Sequence, residues 1–169
     1  FLYDNEHKNE LIFDAVKRNN FKSTQELISF GAKVNASDLQ GVPLVHYAVN
    51  RDTMILSLLL NNDADVNALN THKESALFKA VRSKNRDAFQ CLVKHGANAK
   101  LKNELGESLL HVAVNTTDTL LAGWTLRFVF VNEVDAKRET SLFSAIRNND
   151  MTMSTFLMKR GVDTKKVNA

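Results

Sequence analysis

Two histidines, His46 and His111, are by type the residues best suited to proton transfer or metal ligation, and they stand 65 positions apart. Acid–base or metal chemistry would need further polar groups converging on them in one pocket. His7, His72 and His95 fall at unrelated places and form no ligand spacing such as H-x-x-x-H. The single cysteine, Cys91, is followed by Leu92 and Val93. A reactive thiol needs an exposed, electropositive setting, so Cys91 reads as a small buried apolar residue. No G-x-x-x-x-G-K, no G-x-G-x-x-G and no nucleophile elbow occurs. These residues predict no enzyme, no cofactor, no metal and no small-molecule substrate.

The elements that could position such residues must come from one domain. At 169 residues, with 44% hydrophobic and 24% charged residues, the chain is long enough for one sizeable core. A lone cysteine excludes a disulfide framework within the chain and suits a reducing compartment, cytoplasmic or nuclear. The net charge of +3 is mildly basic, far from the dense Lys/Arg cluster of a nucleic-acid binder. The longest apolar run, Leu126 to Val131, is interrupted by Arg127 and is far shorter than the roughly 20 residues that span a bilayer. No signal peptide is visible, and the start at Phe1 leaves room for a larger protein.

The dominant signal is a repeat. Five segments align: Leu11-Ile12-Phe13-Asp14-Ala15, Leu44-Val45-His46-Tyr47-Ala48, Ala76-Leu77-Phe78-Lys79-Ala80, Leu109-Leu110-His111-Val112-Ala113 and Ser141-Leu142-Phe143-Ser144-Ala145. Their alanines are spaced 33, 32, 33 and 32 residues apart. A second motif keeps the same beat, in Gly31-Ala32-Lys33-Val34-Asn35, Asp63-Ala64-Asp65-Val66-Asn67, Gly96-Ala97-Asn98-Ala99-Lys100 and Gly161-Val162-Asp163. Each unit reads as two short helices. In the second, Val45 and Ala48 form one apolar face, and Ile55, Leu56, Leu59 and Leu60 another. Polar breaks separate the pair: Arg18-Asn19-Asn20, Asn50-Arg51-Asp52, Lys84-Asn85 and Asn148-Asn149. Asparagine tolerates the left-handed backbone that ends a helix, and Gly31 and Gly96 read as caps after the second helix. Hairpin-like stretches such as Ser37-Asp38-Leu39-Gln40-Gly41 lead to the next unit.

The chain resembles the ankyrin family, whose unit carries a T-P-L-H-x-A motif. Pro43-Leu44-Val45-His46-Tyr47-Ala48, Ser108-Leu109-Leu110-His111-Val112-Ala113 and Gly31-Ala32-Lys33-Val34-Asn35-Ala36 carry the match. Phe13, Phe78 and Phe143 replace the motif histidine, Pro43 is the only proline, and Phe128-Val129-Phe130 stands where Gly-Ala-x is expected. The resemblance implies an all-α solenoid of stacked helix pairs with hairpin-like loops. It would form a single domain over 1–169, with repeats near 5–37, 38–69, 70–102, 103–134 and 135–169. It also implies a structural role for His46 and His111, bonding backbone to order a loop. Because one helix pair cannot bury both its apolar faces, each unit must stack on its neighbours.

The same resemblance places a partner-binding face along the hairpin tips and the ends of the first helices. At the tips it selects Leu39, Gln40 and Val42; Thr71, His72 and Glu74; Glu104, Leu105 and Glu107; and Lys137 and Glu139. At the helix ends it selects Arg18, Asn50, Arg51, Arg82, Ser83, Asn115 and Arg147. Arg18, Arg51, Arg82 and Arg147 recur at 33, 31 and 65 residues, which predicts a positive ladder suited to an acidic peptide or surface. The segment Trp124 to Val131 reads either as an apolar docking patch or as a repacked core. The implied function is a non-catalytic protein–protein interaction module. Alternatives are a viral or microbial IκB-like protein that sequesters a host transcription factor, or the regulatory segment of a larger channel, kinase or ubiquitin-ligase adaptor. Neither nucleic acid nor membrane insertion is expected.

Overall fold

The polar breaks decide where each helix pair turns. The computed structural model describes residues 5–50 and 53–164 and contains, among them, ten helices and no strand. They are α1 (Asn5–Lys17), α2 (Phe21–Ser29), α3 (Leu44–Ala48), α4 (Thr53–Asn61), α5 (Ala76–Arg82), α6 (Arg86–Lys94), α7 (Leu109–Asn115), α8 (Thr119–Thr125), α9 (Ser141–Arg147) and α10 (Met151–Met158).

Two adjacent break residues divide the work of each turn. Asn19, Lys84, Thr117 and Asn149 take left-handed backbone, with φ of 56°, 55°, 61° and 54°. The next residue caps the second helix: the side chains of Asn20, Asn85, Asp118 and Asp150 accept from the backbone N–H three places on, at 2.9–3.1 Å. Each cap contributes about 1 kcal/mol. Asparagine therefore serves both positions, and the left-handed one is also filled by Lys84 and Thr117.

The first helices pack in series, α1 on α3, α3 on α5, α5 on α7 and α7 on α9. Ala15, Ala48, Ala80, Ala113 and Ala145 are all buried, in the same place along this row. Three of their carbonyls accept the same 2.9 Å bond from the N–H five residues on. The residue after each alanine faces the next unit, so Val16, Val49, Val81 and Val114 are sealed. With Ile12, Leu44, Ile55, Leu56, Leu59, Leu77, Leu92 and Leu109 they belong to one continuous core. Truncating such a leucine to alanine costs about 2–5 kcal/mol.

Four hairpins link the units, each built on one acceptor. Asp38, Asn70, Asn103 and Asp135 each take the backbone N–H groups two and four residues on, at 2.8–3.0 Å. An acceptor held that way fixes the turn without a strand ladder. Three hairpins close on a single bridged pair, Ser37 with Pro43, Leu69 with Ser75 and Val134 with Thr140. Below them, Asn35, Asn67 and Asn132 accept at 2.7 Å from the backbone N–H groups of Asp65, Asn98 and Asp163 in the following loop. Lys100 occupies the asparagine place in the third unit, and there Phe130 N–H turns to Glu133 Oε1 at 3.2 Å.

Candidate protein-binding face

Hydrogen bonds join the last three hairpins in a row. Glu104 N–H donates to the His72 carbonyl at 3.0 Å, and Ala136 N–H to the Leu105 carbonyl at 2.9 Å. The tips point into solvent. Leu39 is 100% exposed and Leu105 55%, while Gln40, Thr71, His72, Glu104 and Lys137 are exposed beside them. His72 Nδ1 lies 2.7 Å from Glu104 Oε1, joining two successive tips. Val42, Glu74, Glu107 and Glu139, one turn closer to the helices, are half-buried.

Ion pairs tie tips to helix ends. Arg82 pairs with Glu74, and Arg147 Nη1 with Glu139 Oε2 at 3.1 Å, the same eight-residue relation one period-pair apart. Between these rungs, Asn103 Nδ2 donates to Glu107 Oε2 at 2.7 Å and to Glu74 Oε1 at 3.4 Å. Asn115 accepts from Asn148 Nδ2 at 3.1 Å, and Asn50 and Ser83 are exposed at the ends of their helices.

The expected arginine ladder is altered in two ways. Counted from the anchoring alanines, Arg82 and Arg147 stand two residues on, with Lys17, Asn50 and Asn115, whereas Arg18 stands three on. Arg18, Arg82 and Arg147 are each paired, with Asp14 (2.9 Å), Glu74 and Glu139, so the rungs carry no net charge. Arg51 lies outside the described residues.

The first two units add an aromatic corner. Phe13 and Tyr47 meet edge-to-face at 5.6 Å, with Lys17 Nζ 4.6 Å and Lys79 Nζ 5.4 Å from the Tyr47 ring centre. The Tyr47 hydroxyl donates to Asp38 Oδ2, and this bond, with burial and the carboxylate charge, pushes the phenol up to about 12. Burial would raise Asp38, yet its hydrogen bonds from Tyr47, Val42 and Gln40 and the Lys17 charge hold it below the ordinary carboxylate range. Nothing in the sequence singled out Tyr47, whose place in the repeat is taken elsewhere by Asp14, Lys79, Val112 and Ser144.

Both motif histidines are buried and bonded to backbone. His46 Nε2 meets the Ala68 carbonyl at 2.9 Å, and His111 Nε2 the Glu139 carbonyl at 3.1 Å. Cys91, expected to be buried, is half-buried, with its Sγ 3.3 Å from Ser57 Oγ of the preceding pair. The Trp124–Val131 segment divides: Phe130 is 81% exposed, while Trp124 and Phe128 turn onto Phe89, with centroids 5.8 and 6.5 Å away. Among the described residues no cluster of three His, Cys, Asp or Glu side chains could hold a metal, and no helix is long and apolar enough to cross a membrane.

A family model of three-copy ankyrin repeats matches residues 12–103 and again 77–168. The chain belongs to the ankyrin repeat family. Its array is 33% identical over 140 residues to an ankyrin repeat protein of fowlpox virus, covering 82% of this chain and 20% of that protein. An ankyrin repeat protein of Acanthamoeba polyphaga mimivirus is 25% identical over 166 residues, covering 94% and 22%. The human transient receptor potential cation channel subfamily A member 1 is 27% identical over 165 residues, covering 90% and 15%. The chain thus spans a fifth or so of the length of these relatives. Ankyrin repeats are generic protein–protein interaction modules.

Proposed function

We propose that this ankyrin array is a non-catalytic module that binds a protein through its hairpin tips and first-helix ends. The observation that carries the reading is the row itself: four hairpins locked into one geometry by Asp38, Asn70, Asn103 and Asp135, ending in the exposed Leu39 and Leu105. A row whose backbone is already fixed loses little conformational freedom on binding. Apolar tips beside neutral ion-pair rungs suit a partner surface that offers apolar anchors and mixed polar groups, rather than a purely acidic peptide. The partner contacts are assigned to Leu39, Gln40, Thr71, His72, Glu104, Leu105 and Lys137.

The test is the double variant Leu39→Asp/Leu105→Asp, which alters two exposed tips and leaves the core alone. With the partner identified by affinity capture, the variant should bind about tenfold or more weakly, with unchanged thermal unfolding. Equal affinity would overturn the assignment of the face.

Similarity to poxvirus and mimivirus ankyrin proteins supports a narrower version, in which the array engages a host protein, such as a transcription factor held in the cytoplasm. Retention of a Rel-type factor by the native array, and its loss with the double variant, tests that version. The short share of each relative's length, the cation channel's included, supports a second reading, a regulatory segment within a longer protein.

A further inference from the structure

The second helices also pack in a row, α2 on α4, α4 on α6 and α8 on α10, but the backbones of α6 and α8 do not approach as closely. Their gap is bridged by rings, with Phe89 of α6 against Trp124 of α8 and against Phe128. Counted back from the loop asparagine Asn132, Phe128 occupies the place of Gly31, Asp63 and Gly96, which precede Asn35, Asn67 and Lys100 by the same four residues. Those three take positive φ, and Phe128 does not. Phe128 N–H donates to the Thr125 carbonyl at 2.9 Å, as Gly31 and Gly96 donate three residues back, but Val129 N–H takes that same carbonyl at 3.2 Å where Ala32 and Ala97 reach five residues back. A large side chain is thereby directed into the gap between the second helices.

The result is a cleft of about 310 Å³. Phe89, Val93, Trp124 and Phe128 form its apolar lining, Gln90 is polar, and Lys94 and Arg127 are the charged members. No carboxylate lines it. Both cations are exposed, and neither is paired with a carboxylate among the described residues, unlike Arg18, Arg82, Arg86 and Arg147. We infer that this cleft is a second docking site, which takes an acidic peptide segment carrying one bulky apolar side chain. The apolar group would stack among Trp124, Phe89 and Phe128, and flanking carboxylates would pair with Lys94 and Arg127. Trp124 and Phe128 are half-exposed walls over the buried Phe89, and beside unsatisfied charge they combine burial with orientation, as hot spots do. Two cations are too few to follow a phosphate backbone, which favours a peptide over nucleic acid.

Trp124 is the only tryptophan in the chain, so its fluorescence reports on this cleft alone. The probe is a synthetic Glu-rich peptide with one central Phe, compared with a version carrying Lys for Glu and another carrying Ser for Phe. The inference predicts a saturable change with the first peptide and none with the Lys version. It predicts weaker binding of the Ser version, and a loss of about tenfold in affinity for the Lys94→Glu/Arg127→Glu protein. The Leu39→Asp/Leu105→Asp protein should respond like the native chain, so failure here is distinguishable from failure of the hairpin-tip reading. No saturation below about 1 mM, or an unchanged response in the charge variant, overturns the inference. So does a change driven by protein concentration alone with dimer formation, or one produced by a single-stranded oligonucleotide and not by the peptide.

Discussion

The Ser108 hydroxyl lies 2.9 Å from Nδ1 of His111, and the Ser108 backbone N–H donates to the same nitrogen at 3.3 Å. Nδ1 is therefore the acceptor, and Nε2 carries the proton that reaches the Glu139 carbonyl. At the same three-residue spacing, Phe78 follows Ser75 and Phe143 follows Thr140, and both hydroxyls are buried without a hydrogen-bond partner among the described residues. Ser108→Ala should cost about 1–2 kcal/mol, whereas Ser75→Ala should be neutral or stabilising. Urea unfolding of the two variants checks the contrast.

Ile146 follows its anchoring alanine as Val16, Val49, Val81 and Val114 follow theirs, yet it is 57% exposed while they are sealed by the next pair. Position in the stack, not residue type, sets its energetic weight. Ile146→Thr should shift stability by no more than about 0.5 kcal/mol, and Val81→Thr should cost about 1–3 kcal/mol. Equal losses in chemical denaturation would contradict the stacking order.

Burial lowers His46 from its ordinary 6.5, assisted by the Lys79 charge and opposed by the Ala68 hydrogen bond and Glu74. The unfolded chain then binds a proton that the folded chain refuses, so stability is full above 6.5 and declines as pH falls through the folded value. His46→Phe places at this position the residue found at Phe13, Phe78 and Phe143. The variant should lose less stability than the native chain between about pH 7 and about pH 5, measured by denaturant titration at each pH.

Gly106 and Gly96 both hold left-handed backbone, at φ 70° and 84°, but in different surroundings. A Cβ on Gly106 would sit 2.7 Å from the Ala136 nitrogen of the next hairpin, and one on Gly96 would meet open space. Gly96→Ala should cost about 1 kcal/mol of backbone strain, and Gly106→Ala clearly more. Thermal unfolding of the pair gives the ranking.

The fold was legible because the alanine and Gly-Ala motifs recur in phase, and a repeat that must stack leaves few other architectures. Secondary roles were less visible. Asparagines at the breaks read as left-handed residues, but the cap and the left-handed position are neighbours, and Lys84 and Thr117 show that composition alone does not say which is which. The site suffered more. Spacing suggested one arginine ladder because a 31-residue interval passes for a period, although it moves the side chain one place along the helix. Charge pairing such as Arg82 with Glu74 depends on how a hairpin folds over a helix end, which no one-dimensional pattern reports. The Trp124–Val131 segment could be read two ways because a run of aromatic and β-branched residues does not say which rings turn inward, as Trp124 and Phe128 do, and which outward, as Phe130 does.

Hydrogen–deuterium exchange of the array, alone and bound to its captured partner, tests the central claim most directly. The account predicts that exchange slows at hairpins 37–43, 69–75, 102–108 and 134–140 and at the adjoining first-helix ends. Slowing confined to α2, α4, α6, α8 and α10, with the hairpins unchanged, would contradict it.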